Sequence, residues 1–166
     1  MAPTLWPAPQ DLEVVRIIAD KHSLTLLVRT CRPTAHCPSC RQPSQRVHSR
    51  YQHRLSDLPW HGVPVQLQMQ ARRFFCTTAT CSQHIFTERL PALVQPHGRR
   101  TLQLQALLHQ IALALGGRAG ARLAQSLGLS LQRDSVLHLL RQHPLASAEI
   151  PRVLGVDDFA LRRGHR

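Results

Sequence analysis

Lysine is nearly missing from this chain: of 21 Lys+Arg, Lys21 is the one lysine. Generic solubilising charge draws on both cations, whereas the planar fork of arginine matches phosphates and guanine edges. Carboxylates are scarce too. Only 9 Asp+Glu in 166 residues leave a formal net charge of +12, which predicts an acidic partner. Between Lys21 and Arg133 only Asp57 and Glu88 are acidic, so the middle of the chain carries the positive field. Aromatics make up 4%, and Tyr51, Trp60, Phe74 and Phe75 are too scattered for a platform that stacks single-stranded bases. Double-stranded DNA is the substrate class this leaves. No apolar run approaches the roughly 18 residues of a membrane span, and Met1 to Gln10 lack the basic-then-apolar order of a secretion signal. A cytoplasmic, nucleoid-associated protein with no membrane partner is expected. The 5 cysteines, an odd number, are a poor basis for a disulfide framework. Metal ligation or free thiols remain.

The apolar share of 43% is enough for a core in one domain or two small modules. From Glu13 to Ala19 and from Leu24 to Arg29 run β-branched and apolar residues, with Asp20-Lys21-His22-Ser23 between them, which predicts a supporting hairpin. After Cys31 the chain turns to Pro, Ser, Gln and Arg until Tyr51, too polar to hold itself by apolar burial. A period of two follows: Val63, Val65, Leu67, Met69 and Ala71 alternate with Pro64, three glutamines and Arg72. This predicts a half-buried strand, with Pro64 near its start where a missing N–H is tolerated.

Cys37-Pro38-Ser39-Cys40 and the Cys76 to Cys81 pair flank that segment. Four thiolates in two short knuckles are what tetrahedral zinc requires, and a small module poor in large apolar side chains needs such a staple. Cys37, Cys40, Cys76 and Cys81 are therefore the expected ligands of a closed, structural Zn2+, with buried free thiols as the competing reading. His36 and His84 adjoin the knuckles and His48, His53 and His61 lie between them, so histidine ligands stay open. Cys31 reads as a strand-end core residue.

Past Arg100 the pattern becomes helical. Thr101 can cap a helix with Leu104, Leu107, Leu108, Ile111 and Leu115 on one face, ended by Gly116-Gly117. Arg118 to Ser126 and Arg133 to Gln142 read as two more helices, joined through Gly128 and stopped by Pro144. The last two have the shape of a helix-turn-helix, in which Val136, Leu139 and Leu140 pack inward and Arg133, Ser135, His138 and Arg141 face a major groove. Arg46, Arg50, Arg54, Arg72 and Arg73 of the preceding module would add phosphate contacts. From Leu145 to Arg152 the chain reads as a linker, and Val153-Leu154-Gly155-Val156 as the first strand of a further domain. The fold class is thus α+β: a hairpin and zinc-ribbon-like β module over 1–92, a helical module over 98–144, and linker plus strand over 145–166.

Several motifs fall in one order: Cys-Pro-x-Cys at 37–40, Val47-His48-Ser49-Arg50-Tyr51, Leu58-Pro59, Arg72-Arg73-Phe74-Phe75-Cys76, Phe86-Thr87-Glu88-Arg89-Leu90-Pro91, and Gly155-Val156-Asp157-Asp158-Phe159. Together the series resembles transposases of the ISL-three insertion-sequence family. The resemblance implies an N-terminal zinc module, a helix-turn-helix that binds terminal inverted repeats, and a ribonuclease-H-like DDE catalytic domain. It assigns Asp157 as the first of three catalytic carboxylates, which in a full-length enzyme hold Mg2+ for phosphodiester chemistry. Only this first carboxylate stands in the 166 residues, so the chain is expected to be catalytically inactive alone, with a second copy (a homodimer) or full-length transposase as its expected protein partner. One departure lies at Gln132, where the family commonly has Ser before Arg-Asp-Thr and this chain has Arg133-Asp134-Ser135. The rival expectation is a zinc-containing transcriptional regulator that binds DNA and was never catalytic.

Overall fold

The computed structural model describes residues 12–142, a mixed α+β fold. β1 (Leu12–Ala19) and β2 (Leu24–Thr30) form the expected antiparallel hairpin. Its turn is held by Asp20, whose Oδ1 accepts from the backbone N–H of His22 and of Ser23, each at 2.7 Å. Two short strands follow, β3 (Ala35–His36) and β4 (Pro43–Ser44). β5 (Val47–Trp60) and β6 (Val63–Phe75) then make a long hairpin, and β7 (Ile85–Thr87) adds to β6 at its far end. The main sheet runs in the order β1-β2-β6-β5, with β2 and β6 parallel. Pro64 precedes Val65, the first residue of β6 to pair with β2, so the ring costs the ladder nothing there.

The period of two in β6 is the organising feature. Val65, Leu67, Met69 and Ala71 are buried and form one core with Val28, Leu55, Leu90, Leu93 and Val94. The opposite face of the hairpin stays polar. In register, Arg50, Gln52, Arg54 and Ser56 of β5 stand opposite Arg72, Gln70, Gln68 and Gln66 of β6.

α1 (Leu102–Ser126) is two helical arms broken at Gly116, where φ 67 and ψ −164 leave the helix. The break lies where the glycine pair predicted an end, because this backbone conformation is open to glycine and strained for other residues. Leu104, Leu108 and Ala112 form the buried i, i+4 row of the first arm. Leu115 departs from the expected inward face and is exposed, since the chain leaves the helix at the next residue.

At the end of the second arm the N–H of Gly128 reaches the carbonyl of Gln125 (3.0 Å) and the N–H of Leu129 that of Ala124 (2.9 Å). This pair of bonds is a Schellman stop, with Gly128 at φ 82. A Cβ on Gly128 would also clash with the carbonyl oxygen of Gly62, in the β5–β6 turn, so the position calls for glycine. α2 (Arg133–Gln142) then packs back, burying Val136 and Leu139 among Leu104, Leu108, Ala121, Ala124, Leu129 and Leu131. Leu140 joins that core as a half-buried residue.

The two halves are sewn together. Ser56 N–H donates to the Arg99 carbonyl (2.9 Å), Thr101 N–H to that of Ser56 (3.0 Å), and Leu102 N–H to that of Leu93 (2.9 Å). Leu58 of β5 packs on the helical core. The linker from Leu145, the strand Val153 to Val156, Asp157 and Asp158 lie outside the described residues.

Candidate metal centre and nucleic-acid interface

The knuckles meet because β6 and β7 bring their ends together. Cys76 directly follows β6, Cys37 directly follows β3, and the N–H of Cys76 donates to the carbonyl of His84 (2.8 Å). In the first knuckle the chain turns back through Arg41, at φ 60, so that its N–H reaches the Cys37 carbonyl (2.8 Å). The Cys37 N–H in turn donates to the Gln42 carbonyl (3.0 Å). In the second the Cys81 N–H donates to the Thr78 carbonyl (3.1 Å).

The Sγ atoms of Cys37, Cys40, Cys76 and Cys81 all lie within 4.8 Å of one another. Cys40 to Cys76 is 3.5 Å and Cys37 to Cys81 is 3.9 Å. Zinc–sulfur bonds of about 2.3 Å in a tetrahedron require sulfurs about 3.8 Å apart, so the cluster fits the ion. Cys40 and Cys81 are shifted in opposite directions. The backbone N–H of Gln42, with the Thr78 hydroxyl, draws Cys40 down to about 6. Cys81 is pulled down by the Gln83 N–H but carried up to about 11 by burial and the three neighbouring cysteines. Four sulfurs this close cannot all ionise without a cation between them, and a divalent ion resolves that conflict.

Among the described residues no histidine joins the group, and His36 and His84 are exposed. Cys31 is also outside it. Against expectation it is an exposed residue rather than a core one: Thr30 takes the last buried position of β2, and the Cys31 sulfur lies 3.9 Å from Glu13 Oε2. Phe74 and Phe86, stacked at 5.9 Å, fill the small core beneath the cluster together with Ala35.

The five arginines expected to meet phosphate are placed very differently. Arg50 and Arg54 stand exposed on the open polar face, and among the described residues nothing pairs with their guanidiniums. Arg46 is exposed, its guanidinium 4.7 Å from the Phe75 ring centroid. Arg73 lies on the opposite face, over Tyr51 at 5.0 Å. Arg72 is occupied. Its Nη2 is 2.8 Å from Glu88 Oε2, with side-chain exposures of 15% and 5%, and it also donates to the Arg32 carbonyl (2.7 Å). Glu88 further accepts from the Thr30 hydroxyl and the Arg72 N–H. This largely buried pair ties β2, β6 and the loop after β7 together and commits the Nε and Nη2 groups of Arg72 to protein partners.

On the helical half, Arg133, His138 and Arg141 are exposed and Ser135 is half-buried. Arg133 pairs with Asp134 at 2.9 Å in the first turn of α2. The Gln132 carbonyl accepts from Val136 N–H at 3.1 Å, so the helix opens directly after Gln132.

The loop between β7 and α1 carries cations that no sequence pattern assigned to DNA. Arg89, His97 and Arg99 are exposed on it and Arg100 half-buried. They line two adjoining hollows of about 790 and 530 Å³ that share Gln95, Pro96, His97 and Arg99. The only available signal was the Arg99-Arg100 pair ahead of the helix cap.

No helix among the described residues is long and apolar enough to cross a membrane. No curated protein and no solved structure matches the chain. Residues 33–81 match the model of the zinc-finger of transposase IS204/IS1001/IS1096/IS1165. The matched segment spans both knuckles and the hairpin between them. It makes Cys37, Cys40, Cys76 and Cys81 a structural zinc site, and it supports an ISL-three transposase N-terminal region as the source of the module.

Proposed function

We propose, from a zinc ribbon of the transposase kind, that this chain is the DNA-binding N-terminal part of a cut-and-paste DDE transposase. Its task is to bind the terminal inverted repeats of its own element. The observation that carries the reading is the four-cysteine ribbon over 33–81, set in a chain with a net charge of +12. The second arm of α1, the Gly128 turn and α2 act as a helix-turn-helix. Arg133, Ser135, His138 and Arg141 read bases, and the zinc half positions the duplex through its unpaired arginines. Zn2+ supplies no chemistry. It holds the hairpin end in shape, and with four thiolates it adds about −2 to the charge, leaving the module basic.

Asp157 is proposed as the first carboxylate of the DDE site, and the isolated 166 residues are proposed not to cut DNA. Mixed with longer copies, they would occupy repeats without completing a reaction.

The test is footprinting of the zinc-loaded chain on the DNA flanking its own gene, with a chelator control. Paired protection of inverted repeats, lost on chelation, is expected. Protection of one promoter-like site would instead identify a regulator, and Mg2+-dependent cleavage by the purified chain would overturn the inactivity.

A further inference from the structure

The two adjoining hollows form one trough. It starts at Pro38 beside the first zinc knuckle, passes over Tyr51 and Arg73, and continues past Arg99 and Arg100 to Leu139 of α2. It therefore connects the two parts of the molecule to which DNA binding is attributed. Its floor is the buried sheet core, and its far wall is the loop from Glu88 to Arg100.

That wall is built rather than loose. Leu90, Leu93 and Val94 anchor it in the core, the N–H groups of Leu93 and Val94 both reach the Leu90 carbonyl, and His53 Nε2 meets the Gly98 carbonyl at 3.0 Å. A Cβ at Gly98 would come within 2.9 Å of Val94 Cγ2, so the loop lies tight on the core. The backbone that carries these cations is thus held in place before any ligand arrives, which lowers the ordering cost of binding.

The charge along the trough is of one sign. Among the described residues its single carboxylate is Glu88, already taken up by Arg72, while no ion pair or hydrogen bond engages the guanidinium of Arg89 or Arg99. A row of unpaired guanidiniums on an anchored loop beside an apolar floor suits a chain of phosphates.

We infer that this trough seats one strand of the duplex DNA backbone between the zinc ribbon and the helical half, with Arg89, Arg99 and Arg100 as phosphate contacts that read no sequence. The inference rests on the DNA-binding reading above and adds the path that the DNA takes.

The test measures the affinity of the zinc-loaded full chain for a repeat-containing duplex and for an unrelated one across a salt series. Each phosphate contact contributes about 0.9 to the slope of log affinity against log salt. R89A/R99A is expected to lower the slope by about 1.8 and to weaken both duplexes alike. R89K/R99K keeps the slope, and Arg16→Ala, on the edge strand remote from the trough, leaves it unchanged. Parent-like slopes in R89A/R99A with binding intact overturn the trough and leave the proposed function standing. An equal drop in Arg16→Ala also overturns it, since charge anywhere would then suffice. Absence of salt-dependent binding in the parent overturns both readings.

Discussion

The zinc end and the helical half hold themselves together by different means. Beneath the cysteines the buried apolar side chains are Ala35, Phe74 and Phe86, and the rest of that core is half-buried Val47 and the ligands themselves. The helical half buries Leu104, Leu108, Leu129, Leu131, Val136 and Leu139 with small alanines between them. At a stabilisation of roughly 25 cal/mol per Å² of apolar surface, the second set offsets more of the entropy of ordering its chain than the first does. Metal binding is then part of folding at the zinc end, while no residue of the helical core is a ligand.

Metal removal breaks this comparison most sharply. Structural zinc contributes on the order of 10 kcal/mol or more to folding of such sites. A chelator, Cys37→Ser or Cys76→Ser should strip amide-exchange protection from residues 35–44 and 74–87 and abolish tight DNA binding. Helical circular dichroism from 102–142 should persist. A cooperative unfolding transition untouched by chelator would show that the cysteines are merely buried thiols.

A smaller effect separates structural from DNA-facing arginines. Glu88→Gln or Arg72→Ala leaves one member of a buried pair unpaired, at a cost of about 3–5 kcal/mol in denaturant unfolding. Arg50→Ala, on the open face, should leave that midpoint unchanged and lower the salt slope of DNA binding by about 0.9. If Arg72→Ala instead altered only the salt slope, its guanidinium would be reaching phosphate and not Glu88.

The same contrast explains what could be read from the chain. β6 was legible because its inward residues are Val65, Leu67, Met69 and Ala71, and the helices because Leu104, Leu108 and the glycines at 116 and 128 mark face and ends. The zinc ligands were legible from spacing alone, since chemistry demands two close pairs. β5 was not. Its inward positions are Ser49, Tyr51, His53 and Leu55, so it shows no hydrophobic period and exists as a strand through its ladder with β6. The occupation of Arg72 was equally hidden, because its partner Glu88 lies 16 residues away on a different element. The basic loop before α1 was missed because its side chains are placed by core contacts of Leu90, Leu93 and Val94 rather than by any local pattern.

The least disruptive change tests whether the two halves unfold as one. Thr101 is 2% exposed at the seam, its hydroxyl donating to Asp57 Oδ1 at 2.5 Å while accepting from the Leu104 N–H at 3.3 Å. One oxygen thus caps the helix and bonds the sheet. Thr101→Ala should cost about 1 kcal/mol for the lost cap, and more because the Asp57 carboxylate loses its donor. Thr101→Ser keeps both bonds and should lie close to the parent. Denaturant unfolding followed in parallel by helical circular dichroism and by amide exchange of β5 and β6 distinguishes two outcomes. Coincident transitions that shift together mean that the seam makes the metal-stapled sheet and the helices one cooperative unit. A helical transition that moves alone means that the contrast in how they are held extends to how they come apart.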